Sequence, residues 1–195
     1  MTQTIHCPKN AVMGDTSGFL KDIHLEDKNI AVYQRDINHL NAELKTLCLN
    51  EVRFKSNGSI KDIVSSLKIY CKNRLHVHSL LIQDIHEVLN LFQNISKANR
   101  FQLSLESIST DMCRKFHADY NQLRLLCTYV GSGTLWLPDD TQKNIISEEN
   151  IQHIKTGHIA ILKGKLYPNA NPVFHRSPKI ETLNEKRLLL RVDMN

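Results

Sequence analysis

The sequence predicts an α+β protein in which an N-terminal helical layer packs on a C-terminal double-stranded β-helix of the jelly-roll, cupin-like type. Three observations carry that expectation. Apolar residues recur at helical spacing between Asn29 and Ala98 and alternate with polar ones after Asn99. No helix-length amphipathic segment separates the later strands, which argues against a parallel sheet of βαβ units. Six or seven short strands with turn residues between them fit a sandwich or barrel. A chain of 195 residues can bury such a core without staples. The expected organisation is an irregular lead over 1–28, the helical layer over 29–98 and the β-helix over 99–195, all one integrated domain.

Asn29 is placed to cap a first helix whose apolar stripe is Tyr33, Ile37, Leu40, Leu44 and Leu47, with Asn57-Gly58 as the turn after it. Ser59 opens a second helix, with Asp62 three residues on as an imperfect capping box and Ile60, Ile63, Val64, Leu67 and Cys71 on one face. A third runs from Arg74 to Ala98 with Val77, Leu81, Ile85, Val88, Phe92 and Ile95 as its stripe. His76, His78 and His86 lie on it, but their spacings do not converge on one ion, so they read as surface or boundary histidines. Next come a half-buried strand over Phe101, Leu103 and Leu105, and a second apolar run from Leu123 to Val130 closed by Gly131-Ser132-Gly133. Thr134 to Leu137, His158 to Leu162, Pro172 to His175 and Arg187 to Val192 complete the strands. A polar loop fills Asp139 to Asn150, with a helical turn within Glu148 to Thr156. Trp136, after the Gly turn, reads as core.

Composition excludes several classes. The net charge of +5 is mild and scattered, so no nucleic-acid partner is expected. No apolar stretch approaches the roughly 18 residues of a membrane span. The five cysteines are odd in number and lack C-x-x-C spacing, against a disulfide framework or a four-thiolate zinc site. With no secretory signal, a cytoplasmic setting is expected. Phosphate loops, G-x-S-x-G elbows and H-E-x-x-H helices are absent from the sequence.

Chemistry concentrates in Cys113-Arg114-Lys115-Phe116-His117-Ala118-Asp119-Tyr120. In an extended segment His117 and Asp119 share a face and can take adjacent positions around one divalent metal. His175, at the end of Pro172-Val173-Phe174-His175, is the natural third ligand. Two His and one carboxylate on one face of an octahedron is the arrangement of non-haem Fe(II) oxygenases. Chance alone supplies about half a His-x-Asp pair in such a chain, so the weight comes from the order of strands and ligands. His24-Leu25-Glu26 is a competing pair without a scaffold. A salt-bridged structural pair at His117 and Asp119 is the bland alternative. Cys113 or Cys127 could add a thiolate for zinc. Arg114, Lys115, Arg124 and Arg176 either make the site mouth positive for an anionic substrate or form a solvated strand edge.

The run from Cys113 to Asn121, with Leu123-Arg124-Leu125-Leu126-Cys127-Thr128-Tyr129-Val130-Gly131 and Gly133-Thr134-Leu135-Trp136-Leu137, resembles the uncharacterised bacterial family named domain of unknown function 1826. Val173-Phe174-His175-Arg176-Ser177-Pro178 and Arg187-Leu188-Leu189-Leu190-Arg191-Val192-Asp193 fit it too. A looser resemblance is to the 2-oxoglutarate and Fe(II)-dependent oxygenases, with their His-x-Asp pair, distal His and basic residue opening the last strand. It implies His117, Asp119 and His175 as ligands of Fe(II), with zinc as the alternative metal. It also implies 2-oxoglutarate as co-substrate, its far carboxylate on Arg187, with Arg191, Arg124 and Tyr129 as further candidates. The gap from His175 to Arg187 is long for that superfamily, and Arg191 shares the face of Arg187. The implied function is an oxygenase acting on a small molecule or protein. The alternatives are a non-catalytic zinc- or iron-binding protein and a metal-free interaction domain, and in any of them the helical half could form a homodimer.

Overall fold

The structure, a computed structural model, describes residues 8–48, 51–74, 79–138, 148–169 and 171–194. Cys7, His76, Val77, His78 and most of the loop expected over Asp139 to Asn150 lie outside the described residues.

The described part of the lead, from residue 8, is not irregular. Strand β1 (Ala11–Gly14) and strand β2 (Ile30–Tyr33) pair in parallel, joined across a 3₁₀ segment over Ser17–His24 that buries Leu20 and Ile23. The expected helix from Asn29 therefore starts only at α1 (Asn41–Cys48), after a short 3₁₀ turn at Asn38–Leu40. Ile30-Ala31-Val32-Tyr33 is strand because both its faces are covered: Ala31 enters one apolar cluster, Ile30 and Val32 the other. Asn29 precedes a strand instead of a helix, and its Oδ1 accepts a 2.8 Å bond from Asn10 Nδ2. Asn57-Gly58 ends a further strand, β3 (Arg53–Gly58), rather than following a helix. Gly58 sits at φ 141°, a conformation that suits glycine.

Ser59 and Asp62 do form the reciprocal cap of α2 (Ile60–Arg74). The Asp62 carboxylate accepts from the Ser59 amide at 3.0 Å and hydroxyl at 2.7 Å, and the Asp62 amide donates back to Ser59 Oγ at 3.3 Å. Helix α3 (Ser79–Ser96) buries Leu81, Ile85, Val88 and Phe92, and is too short and polar to be a membrane span, as are the other helices of the described residues.

The later strands are β4 (Phe101–Ile108), β5 (Leu123–Val130), β6 (Leu135–Trp136), β7 (Gln152–His153), β8 (Ile159–Lys163), β9 (His175–Arg176) and β10 (Arg187–Met194). They and the N-terminal strands form a seven-stranded sheet, β1-β2-β8-β5-β10-β4-β3, and a three-stranded sheet, β7-β6-β9. An isolated antiparallel bridge between His117 and His175 extends the small sheet past β9. In chain order, β4, the His117 bridge, β5, β6, β7, β8, β9 and β10 pass back and forth between the sheets, with β6 and β7 as a pair within the small one, as a twice-wound ribbon does. β4, β5, β8 and β10 fall in the large sheet; the other four fall in the small one.

The large sheet is covered on both sides. On one side Leu103, Leu105, Leu125, Leu190 and Val192 share a core with Ile63, Leu67, Leu81, Ile85 and Phe92 of α2 and α3. On the other, Leu126, Ala160 and Leu162 meet Trp136 and Val173, with Trp136 fully buried. The N-terminal part thus supplies three strands as well as helices, which modifies the expectation of a purely helical layer. Replacing Leu81 or Ile85 by Ala is expected to cost about 2–5 kcal/mol each in chemical denaturation. A fragment starting at Asn99 would lack β1, β2 and β3, and is expected to aggregate; a soluble, cooperatively unfolding monomer would show independent halves.

Candidate metal centre

The centre grows from the pairing of two short segments. The His117 amide donates to His175 O at 3.0 Å and the His175 amide to His117 O at 2.9 Å, which sets the two imidazoles side by side with ring centroids 4.7 Å apart. Asp119, two residues after His117 on the same face, brings its carboxylate to them: Oδ2 lies 3.3 Å from His175 Nε2 and Oδ1 3.7 Å from His117 Nε2. One ligand atom from each residue lies within 4.8 Å of the others, a cluster that can hold a single ion.

Backbone carbonyls prepare both rings. His117 Nδ1 faces Lys115 O at 3.2 Å and His175 Nδ1 faces Val173 O at 3.5 Å. A carbonyl can only accept, so Nδ1 is the donor in each ring, and in the neutral form of the ring Nε2 keeps its lone pair for a metal, while the protonated form turns Nε2 into a donor to Asp119. Burial pushes the Asp119 carboxyl up, but the hydrogen bond and charge of His175, then the charges of Arg124 and His117, outweigh it and hold the group below its ordinary range. His175 is buried and His117 is on the open side, with 39% of its side chain exposed.

Arg187 occupies a different part of the same inner face. Leu188, Leu190 and Val192 point into the helix-side core, so Arg187, Leu189 and Arg191 point the other way, as alternation along the strand predicts. Gly131 permits this start of β10: a Cβ there would lie 2.4 Å from Lys186 O and 3.2 Å from Arg187 Cγ, and its φ is +77°. The Arg187 side chain is 1% exposed and has no carboxylate within ion-pair distance among the described residues. Its Nη2 donates to Thr128 Oγ1 and Thr134 Oγ1, both at 3.2 Å, while buried Nε and Nη1 find no hydrogen-bond partner there. Burial pulls the guanidinium down to about 10, opposed only by Glu185. Thr128 and Thr134 carry no motif; only the pairing of β10 with β5 and the Gly turn bring them here.

The remaining candidates scatter. Arg124 is committed to carboxylates: Nε and Nη2 hold Asp193 at 2.7 and 3.0 Å, and Nη1 touches Asp119 Oδ2 at 2.5 Å. Arg191 is 41% exposed and lines a surface groove of about 320 Å³ with Lys55, Ser104 and Asp193. Tyr129 lies on the opposite face of β5, where its hydroxyl donates to Asp84 Oδ2 at 2.5 Å and Arg35 forks that carboxylate at 2.6 and 2.9 Å. Tyr129 is therefore a core residue, on the other side of the sheet from Arg187. Cys127 shares that side, buried and outside the His117–Asp119–His175 cluster, and burial pushes its thiol up to about 11. Cys113 is exposed and outside the cluster. His24 of the competing pair bonds Tyr167 at 2.7 Å and Ile95 O at 3.0 Å, a tie between loop and helix. The mouth is less positive than its residues suggest, because Arg114 pairs with Glu181 at 3.0 Å, while Arg176 keeps its charge and stacks 4.6 Å over Phe116.

With the geometry in place, similarity to known proteins narrows the field. A family model described as Protein of unknown function (DUF1826) matches residues 14–193. No curated protein matches the chain. Among solved structures it is similar to the dioxygenase for auxin oxidation of rice, at 11% identity and a TM-score of 0.53, over 96% of this chain and 82% of that one. It is equally similar to the dioxygenase for auxin oxidation 1 of Arabidopsis thaliana, solved as a 2-oxoglutarate complex, at 12% identity and 0.53, over 96% of this chain and 92% of that one. At such identities the likeness carries the fold alone.

Proposed function

The chain belongs to the DUF1826 family of proteins of unknown function, and we propose that it is a mononuclear non-haem iron enzyme of the 2-oxoglutarate-dependent oxygenase type. One observation carries the reading beyond metal binding: the buried guanidinium of Arg187, on the inner face, with Nε and Nη1 unpartnered. A charge in that position is costly unless an anion meets it. The carboxylate of a bound 2-oxoglutarate is an anion of the right shape for the fork. A protein that only stores zinc or iron needs the triad but not this arginine.

The donor set suits Fe(II): two imidazoles and one carboxylate would hold the ion from one side and leave the other side open. With 2-oxoglutarate and dioxygen, the iron would supply the oxidising chemistry. The chain's own groups do the rest. The Lys115 and Val173 carbonyls fix the ligand tautomers. Arg187 orients the co-substrate through its far carboxylate, and the Thr128 and Thr134 hydroxyls fix the plane of the guanidinium. Trp136, Leu126 and Val173 keep water out of the space between the sheets. The free thiols of Cys71, Cys113 and Cys127 suit a reducing, cytoplasmic setting. The substrate is a small molecule or a protein side chain; the reading needs neither nucleic acid nor membrane.

Anaerobic addition of Fe(II) to metal-free protein, followed by 2-oxoglutarate, tests this. A metal-to-ligand charge-transfer band that saturates with one equivalent of each is expected. Tight zinc binding without such a band under 2-oxoglutarate would sink the enzyme reading and leave a metal-binding protein.

A further inference from the structure

We infer that Arg124 and Asp193 form a positioning unit for the ligand Asp119: Arg124 holds one carboxylate oxygen so that Asp119 binds an ion through the other, and Asp193 cancels the arginine's charge. The inference rests on the reading of His117, Asp119 and His175 as a metal site. The three residues come from different places in the chain. Arg124 opens β5, Asp193 lies opposite it on β10 in antiparallel register, and Asp119 precedes β5 in the bridge segment.

Their contacts divide the guanidinium cleanly. Nε and Nη2 form a two-pronged bond to the two oxygens of Asp193 at 2.7 and 3.0 Å, which leaves Nη1 for Asp119 Oδ2 at 2.5 Å. Asn121 Nδ2 pins the far carboxylate by donating to Asp193 Oδ1 at 2.8 Å. All three charged side chains are mostly buried, with 17%, 15% and 12% of Arg124, Asp193 and Asp119 exposed. The fork fixes the place of Nη1, and the ion pair of Nη1 with Oδ2 holds that oxygen of Asp119.

Charge is the harder problem. A bare guanidinium against a ligand of a divalent cation repels the ion and draws charge from the same carboxylate. Asp193 removes that objection, because Arg124 and Asp193 together are nearly neutral while the geometry is kept. Asp193 therefore controls metal affinity without touching the metal or its ligands. An ordinary cross-strand ion pair would predict only a loss of stability when either member is removed.

Cobalt(II) titrations of the full chain separate the two roles, read by affinity and by the d–d absorption of the bound ion. Wild type, Asp193→Asn, Arg124→Met and the double variant are compared, with thermal unfolding alongside. Asp193→Asn is expected to weaken Co(II) about 10-fold or more, the range known for outer partners of metal ligands. Arg124→Met should change the d–d spectrum, because Asp119 is then free to close on the ion with both oxygens. The double variant should bind Co(II) more tightly than Asp193→Asn, since the unneutralised charge is gone. Co(II) affinity of Asp193→Asn equal to wild type, or a double variant weaker than Asp193→Asn, would overturn the inference while leaving the metal site standing. A wild type that takes up no Co(II) overturns the metal reading, and this inference with it. If Asp193→Asn does not fold, Arg124→Lys carries the test. It keeps the charge and loses the fork, so weaker Co(II) binding with an altered spectrum is expected, and wild-type behaviour overturns the inference.

Discussion

His117→Ala and His175→Ala are each expected to abolish stoichiometric Fe(II) or Zn(II) binding, measured as metal retained per chain after desalting. Three ligands from one side of the ion leave no spare donor, and nothing else among the described residues forms such a cluster. The loss should exceed the about 10–100-fold that follows from disturbing an outer partner. His86→Ala is the matched control, since His86 is an exposed residue of α3. Circular dichroism of both site variants guards against a trivial outcome, because the two histidines also join their segments through backbone bonds that Ala retains. Full metal stoichiometry in both variants would remove the site.

Arg187→Met should separate two properties that usually fall together. Co-substrate binding is expected to drop by about 100-fold or more, because hydrogen bonds to a charged group are worth about 1.5–3 kcal/mol each and two would go. Metal affinity should be nearly intact. The ligand-free protein, by contrast, should melt at the same temperature as wild type or higher, because the substitution removes a buried charge that the fold leaves half satisfied. A residue that destabilises the empty protein while serving its ligand is the mark of a functional group. Arg191→Ala and Tyr129→Phe are the controls, one residue half exposed and the other across the sheet. Unchanged 2-oxoglutarate affinity in Arg187→Met would end the co-substrate assignment.

How much of this was legible in the sequence follows from what each residue touches. β4, β5, β8 and β10 announce themselves by alternation or by unbroken apolar runs, and the spacing of His117, Asp119 and His175 survives intact in the cluster. The N-terminal strands do not announce themselves. β2 is covered on both faces, so its apolar run lines up as well with Ile37 and Leu40 at helical spacing as with its own strand period. β3 is an edge strand whose Arg53, Lys55, Ser56 and Asn57 are polar, so only its Asn57-Gly58 end reads from the sequence, as a turn. Tyr129 could have been set aside from the sequence, because it stands an odd number of places from Arg124 on one strand and so must face the other way. Thr128, Thr134 and Asp193 could not have been found that way, because only cross-strand pairing brings them to Arg187 and Arg124.

The position of β10 in the large sheet has a consequence for how the chain reaches this state. It lies between β5 and β4, yet it follows every other described strand in the sequence. Until residues 187–194 are available, β3-β4 and β1-β2-β8-β5 are separate ribbons, each with an unpaired inner edge. The complete sheet therefore requires its last described strand, and joining the two ribbons through that strand is the expected slow step of refolding. Both Arg187 and Asp193 arrive with that strand, so a molecule that has not completed the insertion has neither Arg187 in place nor a settled Asp119. Metal or co-substrate added during refolding should then act only after the slow phase, as a ligand of the finished sheet and not as a nucleus for it.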